Sequence, residues 1–165
     1  MVKIRPAVTE DIPGIKSVLA ATWRDAYSSF LSEESITKVT TEWHSAQVLQ
    51  AEIDGQTTFV GSATGEGGRI VGVITAHSDG PQLVVSRLYL LPEFQRQGIG
   101  ERMMERAFDA FPQTRRIRLV VEEQSPKGRA FYDKLGFYQI GVEVADVGGT
   151  LLRSIVMERT IGAAT

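Results

Sequence analysis

Apolar residues recur along this chain with two periods, and the switches between them mark its elements. Val2–Arg5 is a short β-like opening ended by Pro6. Ile12, Ile15, Leu19 and Trp23 then fall at helical spacing, so one face of a helix turns inward. Thr9 stands where it can cap that helix, with Glu10 and Asp11 in its first turn and Pro13 tolerated there. Leu31–Lys38 predicts a short helix, and Trp43, Ala46, Leu49 and Ile53 predict another, ended by Asp54-Gly55. From Thr57 the period shortens. Thr57–Ala63 and Arg69–His77 read as strands around the glycine-rich turn 64–68, and Asp79-Gly80-Pro81 turns the chain into a strand over Leu83–Leu91.

A helix comes next, with Ile99, Met103, Ala107 and Ala110 on one face, Phe108 and Phe111 beside them, and Pro112 after its end. Ile117, Leu119 and Val121 alternate in a strand over Arg116–Glu122. Ser125-Pro126 opens the next helix as N-cap and first-turn proline, and Gly136 closes it as a left-handed cap. Phe137–Val144 and Thr150–Glu158 read as a final antiparallel pair. Strands 83–91 and 116–122 are joined through a helix, so they should lie parallel within an otherwise antiparallel sheet. The expected fold is mixed α/β, mostly antiparallel, with helices on both faces, in one domain spanning residues 1–165.

Composition narrows the function classes. The chain has 165 residues, 42% apolar and 23% charged, which suits one globular core rather than disorder. A net charge of −2 argues against a nucleic-acid binder that works by charge alone. Arg115, Arg116 and Arg118 cluster where a strand begins and read as a solvated strand end. The absence of cysteine excludes disulfides, thiolate metal sites and a cysteine nucleophile. No apolar run reaches signal-peptide or membrane-spanning length, so a cytoplasmic protein without a membrane partner is the expectation. His44 and His77 are far apart, lack metal-ligand spacing and read as surface or loosely structural. No metal is expected, and no Gly-x-Ser-x-Gly elbow supports a serine hydrolase.

The chemistry gathers between Leu88 and Arg102. A strand stops at Pro92, turns through Gly98 and Gly100 and enters a helix. N–H groups from Arg96 to Glu101 can there converge on one pyrophosphate, favoured by the helix dipole. A Rossmann fingerprint needs a third glycine where Met103 stands, and the Gly-Lys-Ser/Thr of a P-loop is missing.

Gln95-x-x-Gly98-x-Gly100, after a strand ending at Pro92, resembles the acyl-CoA pyrophosphate motif of the GNAT acyltransferase superfamily. About thirty residues on, Ser125-Pro-Lys-Gly128-Arg-Ala-Phe131-Tyr132-Asp-Lys-Leu-Gly136-Phe137 is similar to that superfamily's next motif, Asn-x-x-Ala-x-x-Phe-Tyr-x-x-x-Gly-Phe. The two stretches cover about a third of the chain. The resemblance implies a V-shaped splay between the two parallel strands, with the pantetheine arm of acetyl-CoA, the cosubstrate, in the gap. Leu88, Tyr89 and Leu90 match the strand that pairs with that arm, and Gln95, Arg96, Gln97, Gly98, Ile99, Gly100 and Glu101 match the pyrophosphate loop. Ser125 replaces the usual Asn; its shorter hydroxyl would contact the cofactor arm or simply cap the helix.

Tyr132 matches the position that protonates the departing thiolate. Thiol and phenol pKa values, about 8.5 and about 10, are close enough for that transfer. An alkyl ammonium, with a pKa of about 10.4, must lose a proton before attack. Glu122, at a strand end and on one face with Val120 and Arg118, is the candidate base. Some members of the superfamily carry a glutamate where this chain has Val120. A strand N–H near Leu90 is placed to stabilise the carbonyl oxygen as it gains charge. Trp23 and Tyr27, four apart, can face one substrate pocket, although Trp23 also continues the core stripe.

The leading expectation is an N-acetyltransferase moving an acetyl group from acetyl-CoA to a primary amine on a small molecule or peptide. Family precedent adds a homodimer as an expectation. A non-catalytic acyl-CoA-binding module on the same fold, or a nucleotide-binding regulator, would keep the loop without proton handling.

Overall fold

The computed structural model describes residues 1–29, 31–147 and 149–161. Among these, seven strands build one sheet: β1 (Val2–Pro6), β2 (Thr58–Ala63), β3 (Arg69–Asp79), β4 (Gln82–Leu90), β5 (Arg116–Glu122), β6 (Tyr138–Val147) and β7 (Thr150–Thr160). Their spatial order is β1-β2-β3-β4-β5-β7-β6, and β4–β5 is the parallel pair. Helices α1 (Ile12–Tyr27), α2 (Glu33–Glu42) and α3 (Ala46–Asp54) connect β1 to β2. Helix α4 (Ile99–Asp109) connects β4 to β5, and α5 (Pro126–Lys134) connects β5 to β6.

The amphipathic stripes decide the layering. Helix α1 buries Ile15, Val18, Leu19 and Trp23, while α4 buries Ile99, Met103, Met104 and Ala107. Both pack on β3, whose residues 71–76 are buried on both sides. Each large side chain removed from water this way contributes roughly 1.5–3 kcal/mol. A second cluster joins Trp23, Leu31, Ile36 and Val39 to Val147 and Leu152 near the β6–β7 turn.

Element starts differ from the periodicity where a polar side chain captures the backbone. Thr9–Asp11 is a short 3-10 turn, and α1 begins only at Ile12. Asp11 rather than Thr9 organises that entry. Its carboxylate accepts the Val8 N–H at 2.9 Å and pairs with Arg5 at 2.7 and 2.9 Å. Ser32 and Ser45 cap α2 and α3 through the Ser35 and Val48 amides, both at 3.1 Å, so Leu31 and Trp43 fall outside those helices. Ala110 lies just past the end of α4 and is exposed.

The sheet opens at its centre. Strands β4 and β5 pair only from Gln82/Arg116 to Val85/Leu119. Ser86 is then an extra residue on β4, because Thr75 pairs with Arg87 while Ala76 pairs with Val85. A bulge bends and twists its own strand. Beyond it, β4 stays on β3 as far as Leu90/Gly72, and β5 stays on β7 as far as Glu122/Ser154. Each strand keeps its outer neighbour and loses the inner one, which produces the expected splay.

Candidate active site

Main-chain direction makes β4 one wall of the gap. The Leu91 N–H donates to the Val71 carbonyl at 2.9 Å, toward β3. Backbone groups alternate along a strand, so the N–H and C=O of Leu90 and Leu88 point toward β5, which has moved away. The Gln95 side chain donates to the Leu90 carbonyl at 2.9 Å and ties the loop after β4 to this wall. The Tyr89 side chain packs against the Trp23 cluster.

At the mouth of the gap, Arg96 and Gly98 take left-handed conformations, with φ of 62° and 78°. Alternating left-handed residues turn successive amides inward as a nest. The first intrahelical donor of α4 is the Arg102 amide, to the Gly98 carbonyl at 3.1 Å, and no acceptor among the described residues takes the amides of residues 96–101. A Cβ on Gly98 would meet nothing within 4 Å, so this glycine serves the backbone and leaves space above it. Gly100 has a different reason. A Cβ there would stand 3.1 Å from the Phe131 ring, so the bare position lets α4 and α5 meet. Arg96, Gln97 and Glu101 offer amides here, while the Ile99 side chain is buried in the core and the Gln97 side chain bonds the Glu93 carbonyl at 3.1 Å.

Four acidic side chains converge beside this mouth: Tyr27 from the end of α1, Tyr89 from β4, Glu122 from the end of β5 and Tyr132 from α5. Burial pushes the Tyr132 phenol well above its ordinary value, and Tyr89 adds to the shift. Burial raises Tyr27 too, with Tyr89, Glu122 and Tyr132 adding their charges. Tyr89 is also raised by burial, against an opposing pull from Arg87. All three phenols are therefore held in the protonated, donating form. Tyr132 is fixed edge-on between Phe131 and Phe137, with ring centroids 5.1 and 5.6 Å away.

Glu122 is only 5% exposed. Its Oε1 accepts the Gln124 amide at 3.2 Å, and its buried Oε2 has no hydrogen-bond partner among the described residues. A buried carboxylate oxygen without a donor is costly and marks a site that a cation or donor completes. Trp23 and Tyr27 do share a wall, with ring centroids 4.3 Å apart. Trp23 is buried as core, so Tyr27 is the member that borders Glu122. The Ser125 hydroxyl accepts the Gly128 amide at 3.3 Å, as a helix cap does.

Two neighbours were not placed at this site by the sequence reading. His44 is buried rather than at the surface, edge-on to Trp23 at 5.8 Å. Arg87, just after the bulge, pairs with Glu52 of α3 and donates to the Trp43 carbonyl at 2.8 Å. A lone arginine inside an apolar strand was the one available hint.

A sheet opened between its parallel strands, with free amides at the mouth, is the architecture of acyl-CoA acyltransferases as a class. The particular family emerges from comparison: the acetyltransferase (GNAT) domain matches residues 27–157, and the chain belongs to the GNAT acetyltransferase family. A probable N-acetyltransferase of Mycobacterium tuberculosis is 27% identical over 168 residues, 93% of this chain and 95% of that protein. The PaiA N-acetyltransferase of Thermoplasma acidophilum, solved in complex with coenzyme A, superposes with a TM-score of 0.81 at 25% identity, covering 98% of this chain and 99% of that one. A Gcn5-related N-acetyltransferase of Rhodopseudomonas palustris shares the fold, with a TM-score of 0.78 at 17% identity over 96% and 95% of the two chains.

Proposed function

We propose that the protein transfers an acetyl group from acetyl-CoA to a primary amine by direct attack. The observation that carries this reading is the coincidence of two features at one mouth: β4 and β5 part after Val85/Leu119, and the amides of residues 96–101 lack acceptors there among the described residues. Acetyl-CoA supplies the acyl group already activated as a thioester. The amides of residues 96–101 grip its diphosphate, and Gly98 leaves the room for that approach. The outward N–H and C=O groups of Leu88 pair with the pantetheine amides as a strand would, while the Leu90 carbonyl holds Gln95 and the Leu90 N–H faces the acyl oxygen.

Glu122 draws the incoming ammonium to its unpartnered Oε2 and takes one proton from it, directly or through a water. Tyr132, held as a neutral phenol by burial, gives its proton to sulfur as the C–S bond breaks, and the second proton leaving the nitrogen, once the N–C bond has formed, returns to the phenolate through water. Family membership and the coenzyme A complex of the Thermoplasma relative support the same cosubstrate here. Ser125 is already engaged as a cap, so the phosphate loop and β4 carry most of the cosubstrate binding.

The test is thiol release from acetyl-CoA in the presence of a panel of primary amines. Tyr132→Phe should lower kcat about 100-fold or more while the Kd for coenzyme A stays within a few-fold. Unchanged kcat would remove Tyr132 from the mechanism. Coenzyme A binding without thiol release on any amine would favour a non-catalytic binding module.

A further inference from the structure

Strand β5 carries an apolar surface that the core does not use. Val121 turns toward α5, where a Cβ on Gly128 would approach its Cγ2 to 2.9 Å. Alternation therefore places Arg118, Val120 and Glu122 together on the opposite face. Their register partners on β7 are Glu158, Val156 and Ser154, and Tyr138 of β6 stands beside Glu158. Although β5 lies between β4 and β7, Val120 is 46% exposed, and Tyr138 is 48% exposed. This strip starts at the buried, unpartnered carboxylate oxygen of Glu122 and ends at the Arg118–Glu158 ion pair, 3.3 Å apart. At about 3.3 Å per residue, Val120 lies roughly 7 Å from Glu122 along the strand, and Arg118 roughly 13 Å.

We infer that the acceptor is a primary amine with an apolar body, its ammonium at Glu122 and its hydrocarbon along Val120 and Val156. This rests on the acetyl-transfer reading. Along β5 and β7 the strip offers Glu122 as its one acid without a cationic partner among the described residues, because Glu158 is already paired with Arg118, while the exposed Glu143 stands two strands away on β6, across Ser154. A polycation laid along Val120 and Val156 therefore finds no second anionic anchor beside its chain. The hollow of about 390 Å³ beside Trp43 is no substitute, since Lys38 stands in it with Glu42 and Asp146. Val120 sets the preference: a carboxylate at that position would draw a second cation, whereas a valine draws hydrocarbon.

The experiment measures kcat/KM over a series of n-alkylamines from ethylamine to hexylamine, with phenethylamine and the diamines of matching length, for the wild type and Val120→Thr. The expected result is a rise of about fourfold per methylene up to a body of about 7 Å, the value of burying each CH₂. Diamines should lag behind the matching monoamines. Val120→Thr should cut the hexylamine-to-ethylamine ratio several-fold without changing the Tm. A flat series, a preference for diamines, or a ratio indifferent to Val120→Thr would overturn the proposal while leaving acetyl transfer standing. Coenzyme A binding with no amine turned over would sink the acetyl-transfer reading, and this one with it. If Val120→Asp converted a dimer into a monomer in sedimentation, the strip would belong to a second copy instead, which also overturns it.

Discussion

Single residues divide here into those whose backbone matters and those whose protons matter. Gly98 belongs to the first group. At φ 78° with open space around it, an alanine would be strained by the backbone alone, by about 1–2 kcal/mol. Gly98→Ala should therefore lower denaturant stability by about that amount and weaken coenzyme A binding, read by calorimetry, by at least as large a factor. Equal coenzyme A affinity in that variant would remove the amide nest from cosubstrate binding. Glu122 belongs to the second group. Glu122→Gln keeps the acceptor of the Gln124 amide and removes the proposed base, so kcat/KM should fall about 100-fold or more, with the deficit shrinking as pH rises and free amine accumulates. A deficit that stays constant from pH 7 to pH 10 would assign Glu122 a structural part only. Tyr132 and the glycine loop could be proposed from the sequence because they stand in stretches that resemble GNAT motifs, whose spacing the turn and α5 fix. The convergence of Tyr27 and Tyr89 on Glu122 was not legible there, because it joins residues 27, 89 and 122 across three elements.

At the scale of elements, the long periodic segments were readable and their ends were not. Helix α4 and strands β3 to β5 lie where alternation and helical spacing put them. The starts of α1, α2 and α3 were displaced by Asp11, Ser32 and Ser45, whose side chains compete with the helix for backbone amides. The cause of the splay was invisible, since nothing in the composition of β4 announces Ser86 as an extra residue. The bulge leads directly into a tether. Arg87, with its side chain 9% exposed, ties β4 to α3 through Glu52 and through the Trp43 carbonyl. Removing the acid alone leaves a desolvated guanidinium, so Glu52→Gln should destabilise the protein by about 3 kcal/mol. The paired change Arg87→Met with Glu52→Leu should recover most of that loss. A urea titration of wild type, single and double variants decides the matter: equal losses for the single and double changes would show that the ion pair carries no coupling.

At the scale of the whole molecule, the sheet divides its labour. Strand β2 and the middle of β3 are buried, β3 between α1 and α4, while the half beyond the splay keeps Val120 and Tyr138 in contact with solvent. Stability should therefore be set on the sealed side and its margin, where two groups have depressed pKa values. Burial, with Arg87 nearby, pulls His44 down to about 4 from an ordinary 6.5. Burial alone would raise the Asp11 carboxyl, but the Arg5 guanidinium and the Val8 amide overcome it and hold the group below 3.8. In both cases the unfolded chain takes up a proton before the folded one does, so stability falls with acid. For His44 the contribution is complete above pH 6.5 and is lost as pH falls toward 4, up to about 3 kcal/mol over that window. For Asp11 the loss begins only below pH 3.8. Urea midpoints should consequently decline between pH 7 and pH 4.5, before any carboxylate of ordinary pKa is half protonated, and His44→Leu should flatten that decline while leaving the steeper one at lower pH. A wild-type midpoint that holds constant from pH 7 to pH 5 would mean that His44 charges freely within the fold, and that Trp23 and Arg87 leave it room to do so.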